Sequence, residues 1–340
     1  MNKRDSITRQ ALIVADVGGT KTNVARMDGA SSGDIVNLVV SYQNSNYSSF
    51  SEILRDFLKE SDTGKVNLCV AVAGPVANER VVMTNIDWVI ERRKLLDEFN
   101  LQEVWLLNDL QAAAEGLGEL DDRDLLLLSK GEGRKLGNRA IIAPGTGLGE
   151  AFVSYEQGRA YAHATEGGHA DFAPRTEEQS ALLEFLRVNR DQVSLEDVCS
   201  GMGIANIYAY LVSTSEFQKD EKHEAELAGS LDLPATIFGH AMDAKSKCKV
   251  CSRVLRLFLE ILGAEAGNLA LKTGATRGIY IGGGIAAKIS KAFEYPEFAK
   301  YFMAKGRRKE YMERIPIWLV LNEYLPLIGA AHYAIQKIKD

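Results

Sequence analysis

The run Ala11–Asp16 (ALIVAD) is apolar and stops at the glycines of VGGT, and an alternating pattern resumes over Asn23–Met27, predicting strand, glycine turn, strand. A third strand is expected over Ile35–Tyr42, a helix over Phe50–Glu60 and a buried strand over Val66–Ala73. A further strand, Val104–Leu107, runs into Asn108 and Asp109. Interleaved strand and helix signals predict an α/β domain. The opening device recurs at Arg139–Ala143 (RAIIA), which runs into Pro144-Gly-Thr-Gly-Leu-Gly149 and then the strand-like Ala151–Tyr155. Two such hairpins, about 130 residues apart, predict an internally duplicated architecture.

Downstream, Thr176-Glu-Glu-Gln179 has the form of a capping box for a helix over Glu177–Asn189, and Ser194 is expected to cap another that starts at Leu195. Val254, Leu255, Phe258, Ile261, Leu262 and Leu269 recur at helical spacing, so Cys251–Leu271 is read as a long core-facing helix that packs inside a core or across subunits. The strand Gly278–Ile281 opens onto Gly282-Gly-Gly-Ile285. Ser213–Asp232, rich in Lys, Glu, Asp and Ser, reads as a solvated segment. The basic run Lys305, Arg307, Arg308, Lys309 has the form of a phosphate patch or a plain charged face, and Glu310 and Glu313 beside it favour the charged face.

A length of 340 residues suits about two domains, and 46% hydrophobic with 25% charged residues excludes a disordered or disulfide-dense chain. The net charge of -6 argues against broad attraction to nucleic acid or anionic lipid, so neither is expected as a partner, and a phosphate-bearing ligand needs locally placed donors. The opening MNKRDSITRQ lacks a signal-peptide core and no stretch reaches the ~20 apolar residues that span a bilayer, so a cytoplasmic protein is expected. Of the four cysteines only Cys248 and Cys251 lie close together, and with His240 as the sole nearby extra ligand they read as structural rather than zinc-binding or redox-active.

Backbone N–H groups at glycine turns and helix starts bind phosphate well. Three candidates each follow an apolar strand directly: Asp16-Val-Gly18-Gly19-Thr20, Gly145-Thr146-Gly147-Leu-Gly149 and Gly282-Gly283-Gly284. The chain has neither a GxxxxGK[ST] loop nor a GxGxxG fingerprint, so a nucleotide site here is of another kind. Asp16 and Asp109 stand at strand ends, where α/β folds gather ligand groups. Helix capping is the competing reading of Asp109. Glu166-Gly-Gly-His169 offers two polar side chains across two glycines, and a satisfied loop histidine is the competing reading of His169.

Asp16-Val-Gly-Gly-Thr20, Met83-Thr-Asn85, Asn108-Asp109, Gly145-Thr-Gly-Leu-Gly149, Glu166-Gly-Gly-His169-Ala-Asp-Phe-Ala-Pro174, Glu196-Asp-Val, Ser200-Gly201, Gly267-Asn-Leu-Ala270 and Gly282-Gly-Gly-Ile285 resemble the motifs of bacterial-type glucokinases, in the same order, over roughly residues 11–335. That family belongs to the hexokinase, actin and chaperone-ATPase superfamily. The resemblance implies a duplicated ribonuclease H-like, actin-like fold of two α/β domains with a cleft between them: a small domain of residues 11–109 plus 322–340, and a large one of 110–321. It implies an ATP-dependent glucokinase that uses Mg2+ and makes glucose 6-phosphate, and it favours a homodimer. Asn108, Asp109, Glu166, His169 and Glu196 would hold glucose, with Asp109 as base on the 6-hydroxyl. Asp16 would lie near Mg2+, reaching it through water, and near the terminal phosphate; Gly18, Gly19, Thr20, Gly145, Thr146 and Gly147 would cradle the phosphates. Ser200, Gly201, Gly282, Gly283 and Gly284 would border adenosine.

Two residues depart from the family pattern. Lys21-Thr22-Asn23 follows the first turn where Asn is common, as in related repressors and sugar kinases, and Glu150 follows GTGLG where an apolar residue is usual. Solvent exposure or a water-mediated Mg2+ contact are the available readings of Glu150. A sugar-responsive repressor needs a DNA-reading domain, and ten residues before the first strand are too few for one. A chaperone-like or filament-forming ATPase gives no reason for Glu166, His169 and Glu196.

Overall fold

The computed structural model describes residues 11–27, 39–58, 66–83, 86–134, 136–214, 217 and 221–339. Thr84 and Asn85, the first part of the expected Ile35–Tyr42 strand and the end of the expected Phe50–Glu60 helix lie outside the described residues. The chain divides into two compact units. One holds the described residues up to Asp124, Arg159–Ala164 and Asn322–Asp340; the other holds Leu125–Gly158 and Thr165–Leu321.

The first unit is built on β1 (Leu12–Val17), β2 (Lys21–Met27), β3 (Val40–Gln43), β4 (Asn67–Val72), the short pair β5 (Arg80–Val82) and β6 (Val89–Glu91), and β7 (Glu103–Asn108). Its five-stranded sheet has the order β3-β2-β1-β4-β7. β1 pairs with β2 antiparallel through the glycine turn and with β4 parallel. A central strand with cover on both faces is apolar throughout. Ile13, Ala15 and Val17 face one cluster with Phe50, Ile53 and Leu54, while Leu12 and Val14 face Ala112, Leu327, Ala330 and Ala331.

That second face explains the extent of the unit. Helix Asp109–Gly116 is lined by Ala112, Ala113 and Ala114 and packs on the C-terminal helix Leu325–Lys339, whose Gly329, Ala330 and Ala331 are buried. A Cβ on Gly329 would sit 1.7 Å from the Ala112 carbonyl oxygen, so the helices approach through backbone. Asn322 Nδ2 also donates to Asp124 Oδ1 at 2.9 Å. The boundary expected at residue 109 therefore moves to Asp124, because small side chains bind residues 109–116 to the returning helix. Gly329→Ala is expected to lower stability by about 1–3 kcal/mol through overpacking, measured as a lower urea midpoint. An unchanged midpoint would show that the helices can separate without cost.

The second unit contains β8 (Leu125–Ser129), β9 (Arg139–Pro144), β10 (Leu148–Glu156), β12 (Gly278–Ile281) and β13 (Ile317–Val320); β11 (Arg159–Thr165) belongs through Ala164 with the first unit. Its strands lie in the order β10-β9-β12-β13-β8, with β9 antiparallel to β10 and parallel to β12. Helix Lys249–Thr273 is buried on nearly all sides, from Val254 to Ala270, so it belongs to the core of this unit. It ends at Gly274 in the left-handed conformation with φ 61.

Three expectations change. No helix starts at Leu195: Ser194 Oγ donates to Asp197 Oδ2 at 2.9 Å in a turn, and the next helix is Gly201–Ser213, capped by Ser200. Gln179 does not complete the capping box but accepts from the Arg175 amide at 2.9 Å, while Thr176 caps Glu177–Arg187. Lys305 is no part of an exposed charged face, since Nζ turns inward to the Ala264 carbonyl at 2.7 Å and Asn268 Oδ1 at 2.5 Å. Cys248 caps the long helix, its Sγ accepting from the Cys251 amide at 3.4 Å. Both cysteines are free thiols, and no group of three metal ligands occurs among the described residues.

Candidate active site

In the first unit, β1 and β2 leave a bare backbone turn at Gly18 and Gly19 beside Asp16. The Gly18 amide donates to the Lys21 carbonyl at 3.1 Å, closing the turn. Asn44, which sequence reasoning missed, braces it: its Nδ2 donates to the Gly18 carbonyl at 2.8 Å, its amide donates to the Thr20 carbonyl at 2.9 Å, and Thr22 Oγ1 donates to its Oδ1 at 2.8 Å. A buried asparagine so close to a glycine turn is visible only in the fold. Lys21 turns to Glu323 at 3.1 Å, an exposed ion pair.

Asp16 has lost most of its water at the strand end. Burial first, and then the nearby carboxylate of Asp109, push its pKa up to about 7, against the pull of Lys21 and a hydrogen bond from Asn23. Asn108, rather than Asp109, caps helix Asp109–Gly116: Oδ1 accepts from the amides of Leu110 at 3.0 Å and Gln111 at 3.1 Å. Asn108 Nδ2 donates to the Gly74 carbonyl at 3.1 Å, so most of this side chain is occupied with backbone. Asp109 is the first helical residue, where the positive helix end favours a carboxylate, and its Oδ1 accepts the Leu110 amide at 2.9 Å.

In the second unit the turn between β9 and β10 carries Gly145, Thr146 and Gly147. The Gly145 amide donates to the Gly147 carbonyl at 2.8 Å, and the Gly145 carbonyl accepts from the Gly201 amide at 2.9 Å. The turn is thereby fixed to the start of helix Gly201–Ser213. Ser200 is buried and acts as cap, its Oγ accepting from the Gly203 amide at 3.1 Å and donating to the Glu196 carbonyl at 2.7 Å. Gly283 has φ 84, and a Cβ there would meet the Pro144 carbonyl oxygen at 2.4 Å, so the third glycine turn needs glycine at this position.

A cavity of about 550 Å³ opens beside these turns, lined by Gly145, Thr146, Gly201 and Gly284. Its apolar wall comes from Ile285, which ends the third glycine motif, and from Met202, Ile204, Pro234, Ala235 and Phe238, which sequence reasoning did not single out. Of the five residues expected beside adenosine, Gly201 and Gly284 line it directly. The clue to the missed wall was Asp232-Leu-Pro, a cap followed by Pro: Asp232 Oδ1 accepts from the Ala235 amide at 3.1 Å and starts helix Leu233–Met242.

Glu166 and His169 project from a short turn, Gly167–His169, with His169 Nε2 4.0 Å from Glu166 Oε2 and both side chains largely exposed. Glu196 hangs on the same turn through its amide, which donates to the Gly168 carbonyl at 2.9 Å. Its Oε2 accepts from the Leu148 amide at 2.8 Å, beside the phosphate turn. The second unit thus ties Glu166, His169, Glu196 and the Gly145–Gly147 turn into one hydrogen-bonded group. Glu150 is buried at 2% exposure, which excludes solvent exposure as its reason.

The chain matches the family model described as glucokinase over residues 13–337. The glucokinase of Nostoc sp. (strain PCC 7120 / SAG 25.82 / UTEX 2576) is 34% identical over 334 residues, covering 94% of this chain and 97% of that protein. The glucokinase of Colwellia psychrerythraea is 32% identical over 333 residues, covering 97% and 98% of the two. Among solved structures, a glucokinase from an Antarctic psychrotroph matches with a TM-score of 0.81 at 30% identity, over 96% of this chain and 99% of that one. Agreement of sequence and backbone over nearly the whole length makes the chain a member of the glucokinase family, an ATP-dependent kinase that phosphorylates glucose.

Proposed function

We propose that the chain transfers the γ-phosphoryl group of ATP to the 6-hydroxyl of glucose, giving glucose 6-phosphate and ADP at the entry to glycolysis, with Asp109 as general base. The observation that carries this reading is the division of labour at the end of β7: Asn108 takes the helix cap, so Asp109 at the same strand end is relieved of it. A sugar hydroxyl is a poor nucleophile near neutral pH, and a carboxylate in reach can take its proton as the bond to phosphorus forms. Glu166, His169 and Glu196 would hold the other hydroxyls, and Asn108 would add its remaining N–H. A carboxylate that the sugar covers and leaves without its hydroxyl penalises analogues that lack one.

The backbone turns Gly18–Thr20 and Gly145–Gly147 would hold the phosphates of ATP, with the adenosine in the cavity beside Gly201 and Gly284. Gly282 and Gly283 shape its rim, and Ser200 supports it as a helix cap. The Asp109 carboxylate raises the pKa of Asp16, a like-charge pairing that suits a hard divalent cation, and Mg2+ takes only one or two protein carboxylates beside phosphate oxygens. Asp16 would hold Mg2+ through water, and the ion would supply neutralising charge to the phosphates.

We further propose that the two units are duplicates of one ribonuclease H-like, actin-like unit. The shared order supports this: β2-β1-β4-β7 and β10-β9-β12-β13 each place an antiparallel hairpin beside two parallel strands. A homodimer follows from the resemblance, and a cytoplasmic place from the ATP substrate and four free thiols. No helix among the described residues is long and apolar enough to cross a membrane.

The test is a panel of sugars with ATP and Mg2+, followed by ADP release. Glucose should drive turnover, and 6-deoxyglucose should bind competitively without being phosphorylated. A phosphorylated 6-deoxyglucose would move the reaction to another hydroxyl, and equal turnover without sugar would sink the kinase reading.

A further inference from the structure

Glu150 follows the phosphate turn on β10, and its side chain lies against the back of the Gly167–His169 turn. Oε2 is 2.0 Å from the position that a Cβ on Gly167 would occupy. The Glu150 carbonyl accepts from Thr165 Oγ1 at 3.0 Å, and the same hydroxyl oxygen accepts the Gly167 amide at 3.2 Å. Oε1 is buried with no hydrogen-bond partner among the described residues.

The long helix places Glu265 nearby, 3% exposed, with Asn268 Nδ2 on one of its oxygens at 2.8 Å and Lys272 Nζ on the other at 3.2 Å. Across β9 the paired residue is the apolar Ile142. The remaining titratable neighbour is the thiol of Cys199, which burial and the charges of Glu265 and Glu150 keep protonated. A neutral carboxylic acid is tolerated in such a box, whereas an unpaired carboxylate is costly. Burial, then Glu265, push Glu150 up to about 7, with Lys272 opposing.

We infer that Glu150 is a positioning residue for glucose: as the neutral acid it supports the Gly167–His169 turn, and on ionising it displaces the turn and weakens sugar binding. The inference rests on the assignment of Glu166 and His169 to glucose. An ionised Glu150 needs a donor, and the amide beside it belongs to Gly167. Recruiting that amide breaks its bond to Thr165 Oγ1, and with Oε2 already packed against Gly167 the change moves the turn that carries Glu166 and His169.

The test measures KM for glucose and for ATP on the full chain between about pH 6 and pH 9. The wild-type KM for glucose is expected to rise about tenfold through neutral pH while that for ATP stays level, and Glu150→Gln should keep the low-pH value throughout. Glu265→Gln should move the rise to lower pH, because a like charge is gone, and Lys272→Met should move it to higher pH, because the opposing cation is gone. A flat wild-type profile, or a rise that survives in Glu150→Gln, overturns the inference. If Glu150→Gln folds poorly, the opposite displacements by the other two variants decide, and coincident profiles overturn it. Glu166→Gln tests the assignment beneath: a raised KM at every pH keeps it whatever the Glu150 profiles show, and an unaltered KM removes Glu166 from the sugar site.

Discussion

Asp109→Asn is expected to reduce kcat by ~10² to 10⁴-fold and leave the fold intact. The substitution keeps the shape of the side chain and removes its ability to accept the hydroxyl proton. It also leaves the helix cap alone, because Asn108 makes the two capping contacts at 3.0 and 3.1 Å. Exchanging an acid for an amide in the first helical turn costs about 0.3–1 kcal/mol of dipole interaction, and loss of a like charge beside Asp16 offsets part of it. The melting temperature should therefore move by no more than a few degrees. Steady-state ADP release and calorimetry on the same preparation separate the two effects. A folded variant that retains more than a tenth of the turnover refutes Asp109 as the base.

Glu196→Gln is expected to raise KM for glucose by ~10 to 150-fold, the loss of a hydrogen bond to a charged group at 1.5–3 kcal/mol. Sequence reasoning alone leaves ATP binding untouched, since Glu196 belongs to no phosphate turn. The structure changes that expectation. Its Oε2 accepts the Leu148 amide at 2.8 Å, one residue beyond the Gly145–Gly147 turn, and its own amide bonds Gly168 at 2.9 Å. A weaker acceptor loosens the phosphate turn as well, so KM for ATP should rise a few-fold. A KM for glucose that does not change would take Glu196 out of the sugar site, and a change for ATP alone would leave it as a brace of the phosphate turn.

Much of this molecule is legible one residue at a time. The apolar runs before VGGT, PGTGLG and GGGI become β1, β9 and β12 because strands buried on both faces are apolar throughout, and the bare backbone after each is a property of glycine itself. Asp16, Asn108 and Asp109 are readable for the same reason: they are the first polar positions after such runs. The helical spacing from Cys251 to Leu271 likewise announces a core helix, and Lys249–Thr273 lies in the core of its unit.

What the sequence cannot express is which distant residues share a carboxylate or a carbonyl. Asn44 reaches the first glycine turn from 26 positions away, and Glu196 reaches Leu148 from 48 positions away. The apolar wall of the cavity comes from three helices, most of whose residues look like ordinary core in the chain. The unit boundary moved from 109 to 124 because Gly329 lets two helix backbones touch, a contact between positions more than 200 residues apart. Glu150 reads as an exposed charge or a water-mediated Mg2+ contact after a turn; only packing against Gly167 and the nearby charge of Glu265 make it a buried acid. Local pattern is set by side-chain polarity along the chain and is determined there. Hydrogen-bond partners, burial and acidity depend on what folding brings close, and only the tertiary structure decides them.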